Sequence, residues 1–237
     1  MTQSHGVSAV LRTVDDLRGP AGRLEALLNS GLPTAPFAAL VCHPHPLGGG
    51  TLHNKVVYHT MKALQGLGLP VLRFNFRGTG LSEGVHDEGR GEEDDVRSAL
   101  DWLEREFHRP LLFAGFSFGA YVGLQACCGD PRVSGLIALG LPVHAEGRDY
   151  RYDFLRDCQQ PKLFISGNRD PYGPVAKVEA AVRLASEPKD LVWIADADHF
   201  FTPTTSGTPG APGSKLEEMR STLRAWAQRQ FPALASQ

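Results

Sequence analysis

The chain predicts an α/β fold in one domain spanning residues 1–237, a mostly parallel sheet covered on both faces by helices. Three observations carry this. Apolar runs alternate with helical patterns along most of the chain. A glycine-flanked serine, Gly115-Phe-Ser117-Phe-Gly119, sits where one such run gives way to a helical pattern. With 237 residues, 42% of them hydrophobic and 21% charged, the chain can bury one sizeable core.

Taken in order, Val7–Val14 reads as an edge strand; in Gly22–Ser30 leucines 24, 27 and 28 suit a helix, but the glycines and prolines around it also permit a short hairpin strand, which is the reading preferred. Strands follow at Phe37–Cys42, Pro70–Phe76, Pro110–Gly115, Val133–Leu139, Lys162–Ser166 and Asp190–Ala195. Helical patterns fall at His53–Gly66, Gly91–Phe107, Phe118–Cys128, Val175–Ser186 and Ser214–Gln230. Thr202–Gly213 is too rich in Thr, Pro and Gly for regular structure and is expected to be mobile, while Gly140–Gln160 is expected to be partly ordered.

Composition excludes several classes. A net charge of −2 presents no basic face for nucleic acid. The N-terminal residues lack the basic start and apolar run of a secretory signal, and no stretch is apolar enough to span a membrane, so a cytoplasmic protein is expected. Cys42, Cys127, Cys128 and Cys158 lack CxxC spacing and are expected to be reduced core thiols rather than disulfide or zinc partners. The acidic run Glu92-Glu93-Asp94-Asp95 reads as a solvated helix start.

The chemistry converges on three strand ends. A serine hydroxyl needs a general base, and the base needs an acid to orient it. Ser117 occupies the turn after one strand, Asp170 follows Lys162–Ser166, and His199 follows Asp190–Ala195, all at the carboxyl edge of a parallel sheet. Asp196 is the reserve for the acid; Asp198, adjacent to His199, should point elsewhere. The backbone N–H of Phe118 is one expected oxyanion donor. The other comes from the loop His43-Pro-His45-Pro-Leu47-Gly-Gly-Gly, where Pro44 and Pro46 have no N–H; His45 is favoured over Leu47. Metal binding by His43 and His45 is a weak rival, since no carboxylates cluster with them. Arg77-Gly-Thr-Gly-Leu-Ser82 lacks a phosphate-binding frame and reads as a turn supporting the oxyanion loop. Phe116, Phe118, Tyr121, Tyr150, Tyr152 and Phe154 are candidates for an acyl pocket or for core.

Four runs, His43-Pro-His-Pro-Leu-Gly-Gly-Gly-Thr with Asn54-Lys, Phe74-Asn-Phe-Arg-Gly-Thr-Gly-Leu-Ser-Glu-Gly, Gly115-Phe-Ser-Phe-Gly-Ala-Tyr and Asp198-His-Phe-Phe, resemble the small α/β-hydrolases with little or no cap. The likeness is to the predicted-hydrolase or dienelactone-hydrolase-like group, related to serine aminopeptidase-type and carboxylesterase enzymes. The resemblance covers residues 36 to 201 and implies the α/β-hydrolase fold with nucleophile, acid and base on Ser117, Asp170 and His199. The expected function is hydrolysis of small or short-chain esters or thioesters through an acyl-enzyme, with no cofactor. Activity should fall as His199 protonates below roughly pH 6 to 7. Peptidase or acyltransferase use of the same triad, and a non-catalytic binding module, remain as alternatives. The expected partner is a small-molecule ester, with no nucleic acid and no membrane; an exposed N-terminal edge strand leaves a homodimer open.

Overall fold

A computed structural model describes residues 10–145, 147–204 and 214–235. In chain order the strands are β1 (Leu11–Val14), β2 (Arg18–Gly19), β3 (Gly22–Arg23), β4 (Ala26–Asn29), β5 (Ala38–Cys42), β6 (Val71–Phe74), β7 (Leu111–Phe116), β8 (Val133–Leu139), β9 (His144–Ala145), β10 (Arg148–Asp149), β11 (Lys162–Gly167) and β12 (Lys189–Ile194). The helices are α1 (Lys55–Gln65), α2 (Arg90–Phe107), α3 (Phe118–Cys127), α4 (Val175–Leu184) and α5 (Lys215–Gln230).

Eight of the strands form one sheet in the order β1-β4-β6-β5-β7-β8-β11-β12. Strand β4 is antiparallel to both β1 and β6, and every pairing from β6 through to β12 is parallel. The parallel strands β5, β7 and β8 are buried along almost their whole length because helices cover both faces. On one face α1 and α5 bury Val56, Met61, Leu216, Leu223 and Trp226 against the sheet. On the other, α2, α3 and α4 bury Val96, Leu103, Val122 and Val178. After β5 the chain crosses through α1 to β6 on one side, and after α2 it returns to β7 on the other. The crevice beyond the carboxyl ends of β5 and β7 is therefore a topological switch point, where open parallel sheets bind ligands.

From Phe37 onward helix and strand positions agree with the sequence reading to within about two residues, and Gly22–Ser30 supplies the short strand β3 and strand β4. Part of the expected edge strand, residues 7–9, and most of the Thr/Pro/Gly loop, residues 205–213, lie outside the described residues. Within Gly140–Gln160 the order consists of the two-residue hairpin β9–β10 and a 3-10 turn at Asp153–Asp157. Among the described residues no helix is long and apolar enough to cross a membrane.

Two expectations are corrected. Cys128 and Cys158 form a disulfide, with Cα atoms 5.0 Å apart. Cys128 caps the C-terminus of α3 and Cys158 the 3-10 turn, so only the return of the chain over α3 brings them together. Cys42 and Cys127 are free and buried, and burial pushes both thiols well above their ordinary range. The acidic run does start α2 but is solvated only in part: Asp94 is exposed and Glu93 half-buried, whereas Glu92 and Asp95 are fully buried. Three residues apart, they share the inner face of α2. Glu92 accepts from the N–H groups of Asp87 and Gly89 at 2.9 and 2.8 Å, closing the N-terminus of α2, and Asp95 is gripped by Arg77.

Candidate active site

The site is assembled at a sharp turn between β7 and α3. Ser117 has φ 55° and ψ −123°, in a region that costs a non-glycine residue about 1–3 kcal/mol and persists only where the surroundings enforce it. Here β7 ends in Phe116 and α3 starts at Phe118, and the two glycines let strand, helix and neighbouring loop close in. A Cβ on Gly115 would lie 2.5 Å from the carbonyl oxygen of Gly119, and one on Gly119 would lie 2.3 Å from the carbonyl oxygen of His43. The Ser117 N–H is tied to the Leu139 carbonyl of β8 at 2.9 Å, which holds the turn on the sheet.

Strands β11 and β12 pair in parallel with Gly167 opposite Ile194, so the loops that follow them leave the sheet side by side. The first carries Asp170 and the second His199. His199 Nδ1 lies 2.6 Å from Asp170 Oδ2, and His199 Nε2 lies 2.9 Å from Ser117 Oγ. An ionised carboxylate only accepts, so Nδ1 carries the proton and Nε2 is left to accept from the Ser117 hydroxyl. The other oxygen of Asp170 accepts from the N–H groups of Tyr172 at 2.8 Å and Gly173 at 3.3 Å, which fixes the carboxylate in rotation. Ser117, Asp170 and His199 are 8%, 4% and 5% exposed, so all three are sheltered while Ser117 and His199 still line a cleft. Asp196 instead lies beside Arg169 at 3.5 Å, and Asp198 accepts from the N–H groups of Phe200 and Thr202, shaping the turn that carries His199.

The loop after β5 forms the opposite wall. His43 is buried as a strut: its Nδ1 donates to the Pro44 carbonyl at 2.7 Å and its Nε2 accepts from the Phe76 N–H at 3.0 Å. Both ring nitrogens are spent, and burial pushes its imidazole down to about 4. The neutral ring stabilises the fold fully above the ordinary histidine value near 6.5, and that contribution is lost as pH falls from there toward about 4. Unfolding by urea at a series of pH values is expected to show up to about 3 kcal/mol of such loss, and a smaller slope in His43→Gln.

His45 faces the cleft, and its Nδ1 accepts from the Leu47 N–H at 3.2 Å. Leu47 is 77% exposed and its N–H is engaged, so of the two loop candidates only His45 lines the cleft. Phe118 is the first residue of α3, where an N–H has no acceptor within the helix.

The cleft has a volume of about 130 Å³ and is walled by His45, Gly48–Gly50, Asn54, Tyr150, Tyr172 and Phe200 around Ser117 and His199. Of the six aromatics singled out from sequence, Tyr150 lines it. Phe116 and Phe118 are buried; Phe116 packs behind His199 with ring centroids 4.9 Å apart, and Tyr152 is buried with its hydroxyl donating to the Pro142 carbonyl. Sequence reasoning missed Tyr172 and Phe200 as walls, whose rings lie 4.7 and 5.2 Å from that of His199. Their positions next to Asp170 and His199 were the available signal. Asn75 and Phe76, which precede the Arg77–Ser82 turn, brace this region: Asn75 accepts from the Leu52 N–H and the Phe76 N–H holds His43, and the turn itself contributes the Ser82 hydroxyl, which donates to the Asn75 carbonyl at 2.6 Å.

Residues 38–228 match the family model described as an alpha/beta hydrolase domain. An uncharacterised protein of Rickettsia prowazekii is 39% identical over 191 residues, 77% of this chain and 79% of its own length. Among solved structures, an alpha-beta serine hydrolase homologue from Coxiella burnetii is 36% identical with a TM-score of 0.74, over 91% of this chain and 96% of that one. A Xanthomonas campestris protein described as an a/b serine hydrolase without lid is 33% identical with a TM-score of 0.78, over 95% and 96%. The matched segment runs from β5 to α5 and so contains Ser117, Asp170 and His199, and the chain belongs to the alpha/beta hydrolase domain family.

Proposed function

We propose that the protein is a serine esterase acting on small or short-chain carboxylic esters or thioesters. The observation that carries this reading is the pair of hydrogen bonds, 2.6 and 2.9 Å, linking Asp170 to His199 and His199 to Ser117 at the edge of an open cleft. Ser117 Oγ attacks the acyl carbon as His199 Nε2 takes the hydroxyl proton. Asp170 remains ionised and stabilises the imidazolium. The N–H groups of Phe118 and His45 stabilise the oxyanion. His199 then gives its proton to the leaving oxygen as the C–O bond breaks, leaving an acyl-serine. A water molecule, deprotonated by His199, attacks the acyl carbon, and the proton returns to Ser117 Oγ as the acid departs.

A cleft of about 130 Å³ is below the roughly 300–1,000 Å³ that accommodates drug-sized ligands, which supports short acyl groups. The β8–β11 connection holds a small hairpin and one 3-10 turn rather than a cap, leaving water an approach and favouring hydrolysis over acyl transfer. Intact-mass measurement after exposure to a fluorophosphonate tests the reading: one adduct is expected on the native protein and none on Ser117→Ala. An unmodified native protein would mean that Ser117 is not activated. A ladder of 4-nitrophenyl esters should give its highest rates at short acyl chains; a steady rise beyond about ten carbons would contradict the size assignment.

A further inference from the structure

Asn54 and Lys55, at the start of α1, border the cleft, Lys55 on the His199 side beside Phe200 and Thr202, and have no part in the steps above. Asn54 lines the cleft and caps α1, its Oδ1 accepting from the Val56 N–H at 2.9 Å. That bond orients the amide, and the hydrogen-bonding group left over is its NH2, which meets no partner among the described residues. The Lys55 ammonium lies 5.6 Å from the centre of the Phe200 ring, and Phe200 is both a cleft wall and a neighbour of His199 at 5.2 Å between centroids. Lys55 donates to the Thr202 hydroxyl at 2.7 Å, a neutral partner; no carboxylate among the described residues pairs with it. Arg12, Arg97 and Arg132, by contrast, sit against acids. The described cleft walls carry no carboxylate either. One donor and one cation unneutralised by an acid therefore lie together at one side of the cleft mouth.

Which part of an ester would meet them follows from the chemistry. The leaving oxygen must receive its proton from His199 Nε2, so the alcohol half lies on the His199 side, whereas the carbonyl oxygen lies toward Phe118 and His45. We infer that Asn54 and Lys55 select esters whose alcohol half carries a carboxylate, the Asn54 NH2 donating to the anion and the Lys55 ammonium attracting it. The inference rests on the esterase reading and adds to it a substrate class and two specificity-determining residues.

The experiment compares 4-acetoxybenzoate with its neutral analogue 4-acetoxybenzamide in the full-length protein, reading the ratio of their kcat/KM values. Intrinsic differences in leaving-group reactivity cancel when this ratio is compared between variants. Lys55→Gln is expected to lower the ratio about fivefold, the scale of one partly exposed charge interaction. Asn54→Asp keeps an oxygen to cap α1, so thermal stability should hold, while replacing the donor by a negative charge; the ratio should fall about tenfold or more. Lys62→Gln, on an exposed position in the last turn of α1, removes the same charge away from the cleft and should leave the ratio alone. The native ratio should also decline as salt rises.

An unchanged ratio in both cleft variants, or an equal fall in Lys62→Gln, overturns the inference. So does a fluorophosphonate adduct on Ser117 with no turnover of 4-acetoxybenzoate, which leaves the esterase reading standing. Absence of both adduct and turnover overturns the esterase reading and the inference together.

Discussion

Asp170→Asn is expected to lower kcat/KM for a short ester about a thousand- to ten-thousand-fold while leaving the fold intact. The reason lies in how the carboxylate is held. Its Oδ1 accepts two backbone N–H groups, from Tyr172 and Gly173. An asparagine can keep those bonds only by placing its carbonyl oxygen there, which turns its NH2 toward His199 Nδ1. An NH2 group donates and does not accept, so His199 is driven to carry its proton on Nε2, the nitrogen that must accept from Ser117. Serine, histidine and their spacing survive, and the base is in the wrong tautomer. Steady-state kinetics should place the loss in kcat with little change in KM, and thermal unfolding should change little. A loss smaller than about tenfold would mean that Asp170 is not the orienting acid.

The largest stability effect is expected from Arg77→Met. The guanidinium donates to both oxygens of Asp95, at 2.8 Å from Nη2 to Oδ1 and 3.0 Å from Nε to Oδ2, and the Arg77 N–H adds a bond to Oδ2 at 3.0 Å. Asp95 has no solvent exposure. Burial pushes its carboxyl up, a drive that the Arg77 bonds oppose, while the bond to Asp95 holds the guanidinium charged. Removing the cation leaves a buried carboxylate with one backbone donor, a change that costs about 3–5 kcal/mol. For a domain of this size that lowers Tm by on the order of 10 °C. The pH dependence has a definite sign. Without Arg77 the native carboxyl binds a proton more readily than the unfolded one, so the variant's deficit should shrink as pH falls from about 8 to about 5. Unfolding midpoints at both pH values would show it, and a deficit of the same size at both would mean that the folded variant binds no extra proton, so that Asp95 is not raised above its unfolded value. Because Arg77 follows Phe76, whose N–H holds His43, some loss of hydrolase activity should accompany the instability.

Much of this architecture was legible in the chain because local rules and the global fold agree. Apolar runs bounded by glycine and proline became β5, β7, β8 and β11, and the glycine-flanked serine became the turn at Ser117. A turn with a strand before it and a helix after it needs no long-range information to be recognised. Asp170 and His199 were placed by a topological rule, that polar residues just past the carboxyl ends of neighbouring parallel strands share one edge. The cleft's aromatic walls were read poorly, since a phenylalanine beside the nucleophile has the same sequence signature whether it faces ligand or core. Phe118 turned into the core, and Phe200, an unremarked residue after His199, became a wall.

By itself the sequence determined the α/β class, the order and approximate ends of the main elements, and the three residues that could meet at one sheet edge, because each depends on periodicity, turn chemistry or strand order. The tertiary structure decided the rest. It buried Glu92 and Asp95, which charge alone assigns to solvent, because backbone donors and Arg77 compensate them. It joined Cys128 to Cys158 across a return of the chain and made His43 a strut rather than a ligand. Such outcomes hinge on which partner lies within about 3 Å, a distance set by packing between segments remote in sequence and invisible to any local pattern.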